Sequence, residues 1–133
     1  NLAGNYFDSI GLGIDFTARD IQSRLKEKGL PWEIAKAFNQ SAPVSEFIPK
    51  SQFEDLGHLG FHLDVNGVRR QTGDTSLMLF SITEILVFIS TYFTVKPGDL
   101  VFTGTPAGVG KVEIGDRLEG YLQDRKMFDF SIR

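Results

Sequence analysis

No cysteine occurs in the 133 residues, so neither a disulfide framework nor a thiolate metal site is available, and a cytoplasmic protein is expected. Charge of one sign is equally scarce as a run: 14 Lys and Arg stand against 17 Asp and Glu, spread along the chain, for a formal net charge of -3. Nucleic-acid binding needs clustered basic residues, which leaves a small molecule as the expected partner and excludes nucleic acid. No apolar run is long enough for a membrane. The longest, Leu77 to Phe93, is broken by Ser81, Thr83, Glu84, Ser90 and Thr91, well short of a span, and reads as a buried helix. Repeats and low-complexity stretches are also missing, and the few prolines mark turns rather than a linker. The chain opens on Asn1 with no basic start and apolar run behind it, so no targeting peptide is expected, and a fragment of a longer protein is.

What is present is 41% hydrophobic residues in a chain of this length, enough for one domain with a real core. Tyr6 to Asp15 reads as an apolar strand in which Gly11 and Gly13 suggest a bulge or close approach. From Thr17 the period becomes helical, with Ile21 and Leu25 four apart, and Gly29 followed by Pro31 supplies the stop. Trp32 to Phe38 reads as a short helix or turn, and Pro43 and Pro49 fence an extended Val44 to Ile48. Leu59 to Val65 alternates apolar and polar residues, Asn66-Gly67 is a strong hairpin signal, and Val68 to Thr72 returns antiparallel. After the helix Leu77 to Phe93, Asp99 to Thr103 reads as a buried strand entering a glycine-rich loop. Arg117 to Leu122 with Lys126 to Ile132 make a last hairpin. The sum is an α+β, mainly β domain with two main helices.

The glycine-rich segment TGTPAGVGK, Thr103 to Lys111, fails as a phosphate loop, because Thr105 stands where the first Gly belongs and Val112 where a Ser or Thr belongs. It still offers backbone N–H groups and the hydroxyls of Thr103 and Thr105 at a strand end, which suits a carboxylate or oxyanion. GLGID, Gly11 to Asp15, lacks the third glycine of a dinucleotide fingerprint. His58 and His62 are four apart, but on a strand this spacing reads as two surface histidines rather than a metal pair. No Ser lies in a G-x-S-x-G elbow. The segment GIDFTARDIQ ends an apolar strand on Asp15 and brings Arg19 and Gln22 close behind. By periodicity alone, Asp15 or Thr17 reads as the cap of the following helix. Lys36 in IAKAF is the other anomaly: an ammonium among apolar neighbours either snorkels to water or is held for chemistry.

Taken in order, GIDFTARDIQ, KGLPWEIAKAF, SAPVSEFIP, VNGVRRQTGDTSLMLFSI and KPGDLVFTGTPAGVG resemble the fumarylacetoacetate hydrolase family, in particular its acylpyruvate hydrolase branch. The runs cover nearly the whole chain from about Tyr6 onward. The resemblance implies a mixed β-roll and a magnesium or manganese ion held by three carboxylates, of which Asp15 matches the third. It implies that Arg19 and Gln22 line the substrate pocket, that Lys36 lies near the metal and substrate oxygens, and that Thr105 binds the substrate carboxylate.

The family's Glu-x-Glu pair and its N-terminal lid, which carries a His and a Glu, have no counterpart in these 133 residues. The expectation is therefore a C-terminal catalytic-domain portion, inactive alone, of a homodimeric enzyme. The implied activity is metal-dependent hydrolysis of a carbon–carbon bond in small 2,4-dioxo acids through an enolate. Oxaloacetate decarboxylation and dioxo-acid isomerisation use the same enolate and stand as alternatives, as does a non-catalytic module that has lost its site.

Overall fold

The computed structural model describes residues 2–133, and among them two α-helices and six strands alternate with short 3-10 turns. The chain divides into two compact units, one of residues 1–12 and 46–133 and one of residues 13–45.

The larger unit is built on antiparallel pairing. Strands β1 (Ser9–Ile10) and β2 (Ile48–Pro49) form a short ladder. A four-stranded sheet follows the order β4 (Val68–Asp74), β3 (Gly60–Val65), β5 (Arg117–Leu122), β6 (Arg125–Ser131). The β3–β4 turn is Asn66-Gly67 as expected, both residues in the left-handed region at φ 54° and 76°, the conformation a tight primed turn demands. Two glycines inside the sheet have a packing reason. Gly73 faces Phe61 across the β3–β4 ladder and Gly120 faces Phe128 across β5–β6, and in both places the phenyl ring lies where a Cβ would sit.

The core gathers Ile48, Leu59, Leu122 and Met127, with Ile10, Leu12, Phe53, Leu56, Phe61 and Phe128 packed around them. Each fully buried side chain of this kind contributes roughly 1.5–3 kcal/mol. The other face of β5–β6 is ionic. Arg117 grips Asp129 with two bonds of 2.8 and 2.6 Å, and Lys126 reaches Glu119 at 2.6 Å and Asp129 at 3.2 Å. Glu119 and Asp129 are directly opposed across the strands, and the two cations offset a repulsion that such a pair otherwise carries. Hydrogen bonding from Arg117, then from Lys126, holds the Asp129 carboxyl down at about 2. His62 stacks on its cross-strand partner Tyr121, ring centroids 4.5 Å apart, so of the two expected surface histidines only His58 is openly exposed.

Four expectations change. The strand expected over Tyr6 to Asp15 shrinks to β1, because Leu2–Tyr6 winds into a 3-10 turn and Lys50 donates to the carbonyls of Gly4 and Phe7. The long helix shrinks to α2 (Ile82–Ser90), because Ser81 caps it in a reciprocal box with Glu84 and stops it from starting earlier. That helix is also not buried: of its residues only Leu86 is, while Phe88 is 64% exposed. Finally, Asp99 to Thr103 is not a strand and its Leu100, Val101 and Phe102 are exposed; no ladder partner meets it among the described residues.

The smaller unit holds α1 (Arg19–Glu27), a 3-10 turn at Glu33–Ala35, and an extended segment before α1. Helix α1 ends as expected, with Gly29 at φ 62° donating to the Lys26 carbonyl.

Candidate active site

In the smaller unit the extended run into α1 is laced to the chain that returns beside it. The N–H groups of Ile14, Phe16 and Ala18 donate to the carbonyls of Pro43, Ser41 and Ala35 at 3.0, 2.8 and 2.9 Å. Residues two apart on an extended chain share a face, so Asp15 and Thr17 point the same way. Lys36, one residue past the fully buried Ala35, reaches both: its Nζ lies 2.5 Å from Asp15 Oδ2 and 2.8 Å from Thr17 Oγ1. The anomaly in IAKAF is thus a paired ammonium rather than a snorkelling one. Its side chain is 32% exposed and that of Asp15 50%, open enough for a ligand to approach.

This geometry also overturns the capping reading of Asp15 and Thr17. The residue at the helix start is Ala18, which makes no side-chain cap bond. Lys36 instead engages the two side chains that periodicity alone assigned to the cap. At the next turn the Arg19 guanidinium donates through Nη1 to Gln22 Oε1 at 2.7 Å, and Gln22 is only 4% exposed. An amide so buried fixes the Arg19 head group, leaving the rest of its five donors for an anion. The smaller unit therefore holds Asp15, Thr17 and Lys36 as one bonded group and Arg19 with Gln22 as a second. Sequence reading missed Thr17 as a partner of Lys36; its signal was the two-residue spacing from Asp15.

Thr105 belongs to the larger unit. Gln71 on β4 donates through Nε2 to Thr105 Oγ1 and to the Pro106 carbonyl, each at 3.0 Å. Gly108, at φ 96°, lies against the Arg70 carbonyl with no room for a Cβ. The glycine-rich loop is thus fastened to the edge strand of the sheet, a role for Gln71 that its place in RRQTGD did not announce.

A hard divalent ion takes about six oxygen ligands. Among the described residues no three His, Asp or Glu side chains converge in a way that could hold one. Asp15 presents a carboxylate with one oxygen on Lys36, which fits a single ligand and not a whole shell. No helix among the described residues is long and apolar enough to cross a membrane.

The family model described as fumarylacetoacetate (FAA) hydrolase C-terminal matches residues 2–133, and the chain belongs to the fumarylacetoacetate hydrolase family. It is 43% identical over 130 residues to the mitochondrial oxaloacetate tautomerase FAHD1 of Homo sapiens, covering 98% of this chain and 59% of that protein. It is 46% identical over 109 residues to the oxaloacetate tautomerase YcgM of Escherichia coli (strain K12), covering 81% and 50%. Among solved structures, fumarylpyruvate hydrolase from Pseudomonas aeruginosa in complex with Mn2+ and pyruvate superposes with a TM-score of 0.90 at 41% identity, over 99% of this chain and 56% of that one. The chain thus spans between half and three-fifths of the length of these relatives.

Proposed function

We propose that the chain is the C-terminal catalytic portion of an enzyme that makes and consumes the enolate of a small 2-oxo acid. The observation that carries this reading is the Lys36 ammonium, held by Asp15 and Thr17 at 2.5 and 2.8 Å. An ammonium has three donors, so beyond these two bonds a third remains to donate to an enolate or carboxylate oxygen. A preoriented cation of this kind stabilises charge that develops in the transition state without reorganising.

Arg19, steadied by Gln22, binds a carboxylate of the substrate. Thr105, at a loop rich in N–H groups, binds a carboxylate through its hydroxyl. Asp15 contributes one ligand to a magnesium or manganese ion, and residues outside these 133 complete the shell. When bound, such an ion supplies Lewis-acid polarisation of the 2-oxo group. The manganese in the Pseudomonas aeruginosa structure supports a divalent ion in this family.

Two reactions share the enolate. Hydrolysis of acylpyruvates is favoured by the likeness to a fumarylpyruvate hydrolase; tautomerisation of oxaloacetate is favoured by the names of the human and Escherichia coli relatives. Tautomerisation asks less of the residues here, since it moves a proton without activating water, and it is the reaction we assign first. Homodimeric assembly is part of the proposal. So is a cytoplasmic location, which stands beside a human relative named mitochondrial.

The test uses the intact protein that carries this chain, with magnesium or manganese. Loss of the ultraviolet absorbance of enol-oxaloacetate is followed beside release of pyruvate from an acylpyruvate. Faster enol decay with no acylpyruvate cleavage supports the tautomerase; pyruvate release supports the hydrolase. If the protein accelerates neither with either ion, the reading is wrong.

A further inference from the structure

Gln71 makes two bonds with one group. The Pro106 carbonyl can only accept a hydrogen bond, so the part of the Gln71 amide that faces it, 3.0 Å away, is the NH2 and not the oxygen. The same nitrogen lies 3.0 Å from the Thr105 hydroxyl. That hydroxyl must therefore accept from Gln71, and a hydroxyl that accepts on the protein side turns its own proton away from that donor. The backbone around it is held as well: Gly108 sits at φ 96° with the Arg70 carbonyl where a Cβ would be, and Pro106 restricts the residue before it.

We propose that Gln71 is a positioning residue that presents the Thr105 hydroxyl as a hydrogen-bond donor to an anionic ligand, the carboxylate of the oxo acid. The inference rests on the reading of Thr105 above, and goes beyond it by naming the residue that decides which way the hydroxyl points. A loop fastened in this manner selects an acceptor, such as a carboxylate, over a donor group of the same size.

Gln71→Glu keeps the shape and removes both donors. A carboxylate there repels the Pro106 carbonyl and takes the Thr105 proton for itself. In the intact protein the expected result is a rise in KM for oxaloacetate of about tenfold, the worth of one or two hydrogen bonds, with kcat changed far less. Backbone order at Gly104, Thr105, Ala107 and Gly108, read by nuclear-spin relaxation of their amides, falls. Thr105→Val raises KM by a similar factor alone, and in the Gln71→Glu background adds little, because both changes remove one donor. Thr105→Ser retains the hydroxyl and raises KM far less than Thr105→Val does. Gln71→Leu serves as a second probe should the Glu variant lose its thermal transition.

Unchanged backbone order in both Gln71 variants overturns the fastening of the loop, whatever the activity. Lower order with unchanged KM overturns the orientation of the hydroxyl toward substrate. A silent Thr105→Val, in an enzyme that is otherwise active, overturns the ligand assignment. Absence of oxo-acid turnover in the wild-type protein removes the functional reading itself, and the relaxation data then judge the fastening alone.

Discussion

Asp15 and Lys36 form a short pair on an open surface, and such pairs add little to stability when they are this accessible. Their value is positional, which separates the effects of changing them. Lys36→Met is expected to reduce turnover of the intact enzyme by at least about a hundredfold, the scale seen when a group that stabilises developing charge is removed, with a melting temperature within a few degrees of wild type. A near-silent Lys36→Met would return this side chain to the role of a surface cation. Asp15→Asn keeps the bond to Lys36 possible while lowering the ligand charge. It is expected to weaken Mn2+ binding, read directly by electron paramagnetic resonance of the free ion, and to abolish metal-dependent turnover with the fold intact by circular dichroism. Wild-type Mn2+ affinity in this variant would show that Asp15 is not a ligand.

At the scale of elements, the sheet makes two claims that can be measured. Gly120 lies beneath the Phe128 ring, with the ring carbons where a Cβ would sit. Gly120→Ala forces the ring off its place and is expected to destabilise by about 1–3 kcal/mol, the usual range for overpacking; chemical denaturation of the chain measures it. The ionic face of β5–β6 has a pH signature. Bonding from Arg117 lowers Asp129 from 3.8 to about 2, and a carboxyl whose folded value is depressed contributes stability above its unfolded value. That contribution is complete above about pH 4 and fades as pH falls from 4 toward 2. Melting temperatures taken across this window should fall less steeply in Asp129→Asn than in wild type, and equal slopes would refute the assignment.

For the molecule as a whole, the notable property is uncovered apolar surface. Leu79, Phe80, Phe88, Tyr92 and Phe93 around α2 are each more than 60% exposed, and exposed apolar surface of this kind favours association in water. The 133-residue chain on its own is expected to sediment as dimers or larger species, and Phe88→Lys with Phe93→Lys to shift it toward monomer. A wild-type chain that sediments as a monomer at micromolar concentration would contradict this.

Much of the fold was readable in order along the chain because its signals are local. Alternation in Leu59 to Val65, the Asn66-Gly67 turn, Gly29 at the end of α1 and the last hairpin all follow from backbone preferences that act within a few residues. The family was readable too, since five runs in fixed order carry it, and with it Asp15, Lys36 and Thr105 as residues to watch. Other features depended on partners far away in sequence. Asp15 and Thr17 could cap a helix or meet Lys36, and only the ladder from Ile14, Phe16 and Ala18 to the chain around Ala35 and Pro43 turned them toward the ammonium. Likewise an apolar run such as Leu100 to Phe102 says that burial is favourable without saying what is there to bury it. Gln71 looked like any polar strand residue until the loop 34 positions later came back to its amide. Sequence alone determined which segments pair locally and which family they belong to, because those depend on near neighbours; the tertiary structure decided which way each candidate side chain faces, because that depends on contacts closed by the fold.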